Sequence, residues 1–251
     1  DSIYIHGDTL LVTGKLEERL VKAFRGVRIF KTDLQGKCDS LVSNEKTGIT
    51  KLFLNPVLWA EGNQITGDII NLLSNTETEQ LDSLKILGNA FMIQKDSAGY
   101  SQLKGKNMYG KFRDNKLESL NDVGNSEVLF YLRDENQKLI GISNMRASKN
   151  IFITMSNNEI TNISFYDMPE GETYPPSKFP DEKEKLKGFI WREDERPFTK
   201  NDIFNNDIIT PIEEINKVNE TDANDLEKKK IELKDPVKEK SKIKEIEKKK
   251  N

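Results

Sequence analysis

Short glycine landmarks recur along the first two-thirds of this chain in a fixed order. His6-Gly7-Asp8, Gln35-Gly36-Lys37, Thr66-Gly67-Asp68 and Lys104-Gly105-Lys106 place glycines 29, 31 and 38 residues apart. About twenty residues after each comes a second landmark: Arg25-Gly26-Val27, Asn55-Pro56-Val57, Gly88-Asn89-Ala90 and Gly124-Asn125-Ser126. A weaker fifth copy starts near Ser143-Asn144-Met145. Fixed-period self-similarity means that each unit is one supersecondary element that needs its neighbours to bury its apolar side.

The segments between landmarks read as strands. Ile3-Tyr4-Ile5, Val27-Arg28-Ile29, Lys51-Leu52-Phe53-Leu54, Val128-Leu129-Phe130-Tyr131 and Ile151-Phe152-Ile153 are short, β-branched or aromatic, and bounded by Gly, Asn and Asp. Glycine and asparagine at the landmarks supply the left-handed or tight positions at which a chain bends. Past the second landmark, Val27 and Ile29, Val57 and Trp59, Ala90 and Met92, and Ser126 and Val128 share one face by strand alternation. Arg28, Leu58, Phe91 and Glu127 take the other. The first set is the more apolar, so it is expected to point inward, joined by Phe130, Ile153 and Met155. For the large or soft apolar residues Trp59, Met92, Met108, Phe130, Met145 and Met155, ordinary core packing and contact with an apolar ligand are both open.

The expected fold is therefore all-β: an elongated, open β-jellyroll or solenoid-like stack of strand repeats over 1–168. A Pro-rich extension over 169–205 is expected to pack on this body. It carries Gly188-Phe189-Ile190-Trp191 and Asp202-Ile203-Phe204. A Lys/Glu-rich tail follows over 206–251, disordered or marginally helical, with Pro236 interrupting any single helix. The stack ends would leave strands unpaired.

Composition narrows the chemistry. The chain holds one histidine, His6, and one cysteine, Cys38. That set cannot build the usual Cys/His structural zinc sites, and no internal disulfide is possible. A Cys38–His6 pair is conceivable, since both stand near equivalent landmarks, but nothing suggests a third orienting group. Asp8, Asp39, Asp68, Asp82, Asp96, Asp114 and Asp122 mostly sit beside expected turns, where aspartate bonds its own backbone. No pair is singled out for glycoside cleavage, and no phosphate-binding glycine loop appears. A formal charge of −3 argues against a nucleic-acid partner. No run of eighteen apolar residues exists to cross a membrane as a helix. The chain opens on Asp1, a processing boundary by expectation, so the missing leader carries no information.

Several segments resemble the OstA-like/LptA family of periplasmic lipopolysaccharide-transport proteins. They are 6–10, Leu34-Gln35-Gly36-Lys37-Cys38-Asp39-Ser40-Leu41, Asn55-Pro56-Val57-Leu58-Trp59, 63–68 and Gly88-Asn89-Ala90-Phe91, with Leu186-Lys187-Gly188-Phe189-Ile190-Trp191 and Arg196-Pro197 further on. The resemblance covers roughly 1–205 and lies in the ordered series rather than in any one motif. It implies a twisted β-jellyroll whose apolar interior holds the acyl chains of lipopolysaccharide in a Gram-negative periplasm. It also implies end-to-end joining to other jellyroll modules and to an outer-membrane translocon. On that reading the chain needs no cofactor and no metal and is not an enzyme. Lipid contact would fall to Val27, Ile29, Val57, Trp59, Ala90, Met92, Val128, Phe130, Ile153 and Met155. The readings from other classes are a β-solenoid that binds or cleaves glycans, and a scaffold that only assembles through its strand edges.

Overall fold

A computed structural model describes residues 2–204, apart from 16, 17, 61, 79, 115, 157 and 158. The expected tail over 206–251 lies outside the described residues. Strands run over Tyr4–His6 (β1), Thr9–Thr13 (β2), Leu20–Lys31 (β3), Leu34–Asn44 (β4), Ile49–Phe53 (β5), Val57–Ala60 (β6), Asn63–Thr66 (β7) and Ile69–Ser74 (β8). They continue over Leu81–Asp96 (β9), Gly99–Arg113 (β10), Lys116–Val123 (β11), Ser126–Arg133 (β12), Leu139–Ala147 (β13), Asn150–Ser156 (β14), Glu159–Tyr166 (β15) and Glu170–Tyr174 (β16). The fold is all-β. All pairings are antiparallel and join into one sheet.

That sheet is creased along a line of corners into two layers. The long strands β3, β4, β9 and β10 cross the crease and serve both layers. The first layer stacks β2, 20–24, 40–44, β5, β8, 81–87, 107–113, β11, β14 and β15. The second stacks β1, 27–31, 34–38, β6, β7, 90–96, 99–105, β12, β13 and β16. The sheet thus continues through β16 to Tyr174, past the point at which the sequence turns Pro-rich.

The crease explains the repeat. Five pairs of consecutive residues adopt left-handed φ: Arg25-Gly26, Leu54-Asn55, Gly88-Asn89, Gly124-Asn125 and Asp167-Met168. The first carbonyl of each pair accepts the amide of a second corner. Asp8 donates to Arg25, Asp39 to Leu54, Asp68 to Gly88, Lys106 to Gly124 and Ser148 to Asp167, all at 2.9–3.1 Å. Three of the first-series glycines, Gly7, Gly67 and Gly105, stand at these corners. Gly36 does not: the corner of β4 is Asp39. Gly36 instead faces the core, where a Cβ would lie 2.8 Å from Cδ2 of Leu58. The fifth copy likewise turns at Ser148, a few residues beyond Met145.

Pairing registers line side chains into transverse rows. Between the layers run Leu10–Ala23–Leu41–Leu52–Ile70–Ile86–Met108–Asp122–Ile151–Phe165 on one side. Opposite them run Ile5–Ile29–Gly36–Leu58–Ile65–Met92–Leu103–Val128–Met145–Gly171. Most of these apolar side chains join one continuous core. Antiparallel pairing with one face buried fixes this register strongly, because a slip of one residue would turn every side chain over.

Candidate functional site

Eight of the ten residues expected inside are there. Val27, Ile29, Ala90, Val128 and Ile153 are buried in the core, and Met92, Phe130 and Met155 pack against it with part of their surface exposed. Val57 and Trp59 are not inside. Trp59 pairs with Gln35 and Gln64 on the outer side of the second layer, while Leu58 between them points into the core. The cause is a frame error at one corner. The left-handed pair is Leu54-Asn55, not Asn55-Pro56, so the alternation starts one residue earlier and the strand faces swap.

The core is not a uniform empty groove. Around the middle strands it is filled by the chain's own side chains: Leu41, Leu52, Leu58, Ile70, Ile86 and Met108 are at most 1% exposed. Covering is less complete elsewhere. Ile5, Leu34, Leu81, Met92, Phe112, Phe130, Met145, Met155, Ile163 and Phe165 touch the core but remain part-exposed, and all but Ile5 and Leu34 lie on β9 or later strands. At the other end, Leu10 and Val12 of β2 continue the inner alternation yet are 53% and 50% exposed. Among the described residues, β1 and β2 each pair only with β3, β15 only with β14, and β16 only with β13.

One charged side chain is buried in the inner rows. Asp122 stands in the inner row between Met108 and Ile151 and is fully buried. Neither carboxylate oxygen has a hydrogen-bond partner among the described residues. Burial pushes its pKa up to about 7. Gly105, across the crease, makes room for it; a Cβ there would overlap Oδ1. Superposing the corners would have exposed this residue. Two positions before each left-handed pair stand Ala23, Leu52, Ile86, Asp122 and Phe165, and only one is ionisable.

The outer side of the second layer is covered by 175–204, which forms a strap crossing the strands. Its main contacts come from one row, Phe30–Gln35–Trp59–Gln64–Ile93–Gln102–Leu129. The three glutamines act as artificial strand edge. Gln102 donates to the carbonyl of Glu184 (2.7 Å) and accepts from the amide of Leu186 (2.8 Å). Gln64 donates to Ile190 (2.7 Å) and accepts from Arg192 (2.6 Å). Gln35 accepts from the Arg196 guanidinium at 2.6 and 2.9 Å. Leu186 completes a second apolar cluster with Phe91, Ile93, Leu129 and Ile142. Arg192 is buried and forks onto Glu195 at 2.6 and 2.8 Å while reaching Asn55 near a corner. Hydrogen bonding to Arg192, with help from Lys37, holds the Glu195 carboxyl down to about 2. Glutamine alternating with apolar residues across strands was not read from the sequence, because the pattern appears only after registers are known.

His6 and Cys38 are not brought together. His6 lies in the outer row with Arg28 and meets the ring of Phe204 edge-on at 5.1 Å. Cys38 is buried on the inner side, and burial pushes its thiol up to about 12. Among the described residues, no three His, Cys, Asp or Glu side chains cluster to share a metal ion. None of the described helices is long and apolar enough to cross a membrane.

No family model matches the chain, and no curated protein matches it. Among solved structures, the crystal structure of LptH, the LptA-homologous periplasmic component of the lipopolysaccharide transport device from Pseudomonas aeruginosa, aligns at a TM-score of 0.42 and 12% identity, over 57% of this chain and 98% of that one. A likeness at that level decides nothing about this chain.

Proposed function

We propose that this chain carries a lipid of the lipopolysaccharide class across a Gram-negative periplasm, taking its acyl chains between the two layers at the β9–β15 end. The observation that carries the reading is the incomplete cover there. Met92, Phe130, Met145 and Met155 face the core without being sealed by it, and methionine and phenylalanine suit an irregular apolar ligand. Each methylene withdrawn from water contributes about 0.8 kcal/mol, so ten would give on the order of 8 kcal/mol before ordering costs. The filled middle narrows the expectation of a full-length groove: acyl chains enter where the interior is loose, and passage farther requires the layers to part. The saccharide stays in water, and no chemistry is asked of the protein.

Unpaired strands at both ends support end-to-end joining to other jellyroll modules and to an outer-membrane translocon. The filled middle also favours a second reading, a scaffold that assembles through those edges without carrying lipid. Binding of labelled lipopolysaccharide to the full chain separates the two. Replacing Phe130 and Met155 by Asp should weaken binding at least tenfold while circular dichroism stays unchanged. Equal binding by folded variants would leave the scaffold reading.

A further inference from the structure

The two layers have unlike outer faces. The second layer is covered by the strap; among the described residues nothing covers the first. Its outer side consists of three rows. Nearest the crease run Thr9–Phe24–Ser40–Phe53–Ile69–Leu87–Asn107–Val123–Asn150–Tyr166. The middle row is Leu11–Lys22–Val42–Lys51–Asn71–Lys85–Tyr109–Asn121–Phe152–Ser164, and the outermost is Thr13–Leu20–Asn44–Ile49–Leu73–Ser83–Lys111–Ser119–Thr154–Asn162.

Two properties of these rows are unusual for a solvated sheet face, which normally reads polar. First, the half near β3–β9 is apolar: Phe24, Phe53, Ile69 and Leu87 form an unbroken strip along the crease apart from Ser40. Phe24 is 36% exposed, and the others are half-buried. Second, all the charge in the three rows is positive. No Asp or Glu occupies any of their positions, while Lys22, Lys51 and Lys85 stand on every second strand of the middle row, about 10 Å apart. Lys111 stands on the next strand, in the outermost row. None of these four lysines has an ion-pair or hydrogen-bond partner among the described residues. Acids flank the rows: exposed Asp8, Asp39, Asp68 and Asp167 stand at the corners beside Thr9, Ser40, Ile69 and Tyr166, and Asp82 and Glu118 line a depression together with Lys85 and Lys111, Glu118 being engaged by Arg113 at 2.7 Å.

From this face we infer that the first layer docks on an anionic phospholipid bilayer through its middle row, with the lysines on the phosphates. An apolar strip alone would suit many proteins. A line of lysines without partners among the described residues, with apolar residues on both sides, suits a partner that offers phosphates and hydrocarbon in adjacent planes. Lysine stems can lie along the strip while the ammonium groups reach the headgroups. The inference concerns the outside of the molecule and stands whether or not the interior carries lipid.

Flotation of the full chain with vesicles tests it. Vesicles of equal parts phosphatidylcholine and phosphatidylglycerol should carry the protein at low salt and release it at high salt; pure phosphatidylcholine should carry far less. Each lysine near such a surface contributes about fivefold, so Lys22→Glu/Lys51→Glu/Lys85→Glu should lose roughly a hundredfold or more in partitioning. Should that variant misfold by circular dichroism, the neutral pair Lys51→Gln/Lys85→Gln is expected to lose more than tenfold. Undiminished flotation by either folded variant would show that lysines elsewhere hold the vesicle and would overturn the inference. So would failure of the unaltered chain to float with anionic vesicles at low salt, the outcome expected if the face receives an acidic protein instead.

Discussion

The side-chain amide of Gln64 completes a two-hydrogen-bond bridge with the strap, accepting from the backbone of Arg192 at 2.6 Å and donating to the carbonyl of Ile190 at 2.7 Å. A glutamine side chain so placed offers the strap the donor and acceptor that a neighbouring strand would offer. Gln64→Leu keeps the volume but strands both backbone groups under a buried segment, at about 1–3 kcal/mol for each unsatisfied group. Hydrogen exchange at 188–192 should accelerate by one to two orders of magnitude, while amides of β9 and β10 keep their protection.

Acid should release the same strap. The Glu195 carboxyl is held down to about 2 from its usual 4.5. A depressed carboxyl adds stability that is full above the unfolded value and is lost as pH falls through the folded one. Exchange at 190–198 should therefore rise between about pH 4.5 and 2, and Glu195→Gln should show the loosened strap already at neutral pH.

Asp122 works in the opposite direction. Its carboxyl is raised to about 7 from 3.8, so the folded state holds the proton more tightly than the unfolded chain. The penalty is absent below about pH 4, grows as pH rises to 7 and is constant above it. At 1.36 kcal/mol per unit the full effect is on the order of 4 kcal/mol. Urea midpoints should fall between pH 4.5 and 8 in the unaltered chain, beyond what its other acids cause, and Asp122→Asn should flatten that fall.

Leu54 holds φ at 59° with 64% of its surface exposed. A branched side chain in the left-handed region costs about 1–2 kcal/mol, and little packing is lost with it. Leu54→Gly is expected to stabilise by about 0.5–1 kcal/mol once the greater freedom of glycine in the unfolded chain is offset. A lower melting temperature would contradict the assigned corner.

Much of this architecture is legible before any coordinates. Gly88-Asn89 and Gly124-Asn125 announce their corners because glycine and asparagine tolerate positive φ. Val27, Ala90 and Val128 follow inward by simple alternation. Legibility fails where a corner is built from residues that do not advertise it. Leu54-Asn55 hid a one-residue frame shift, so Val57 and Trp59 seemed to face inward. Asp167-Met168 hid the fifth corner. Alternation in the wrong frame carries Trp59 inward as a ligand contact; its burial, to 1% exposure, occurs instead on the side of the sheet that the strap covers. The strap contacts themselves join residues more than eighty positions apart, and no local pattern encodes such pairs.

Inward residues of β12 and β14 set against outward residues of β6 give a sharp contrast for the lipid proposal. A photo-reactive residue placed singly at Phe130, Met155, Val57 or Trp59 of the full chain, irradiated with lipopolysaccharide, reads out which side meets acyl chains. Adducts at Phe130 and Met155 with none at Val57 or Trp59 are the predicted result. Adducts at Val57 and Trp59 alone, or at no inner position in a chain that binds the lipid, would contradict it.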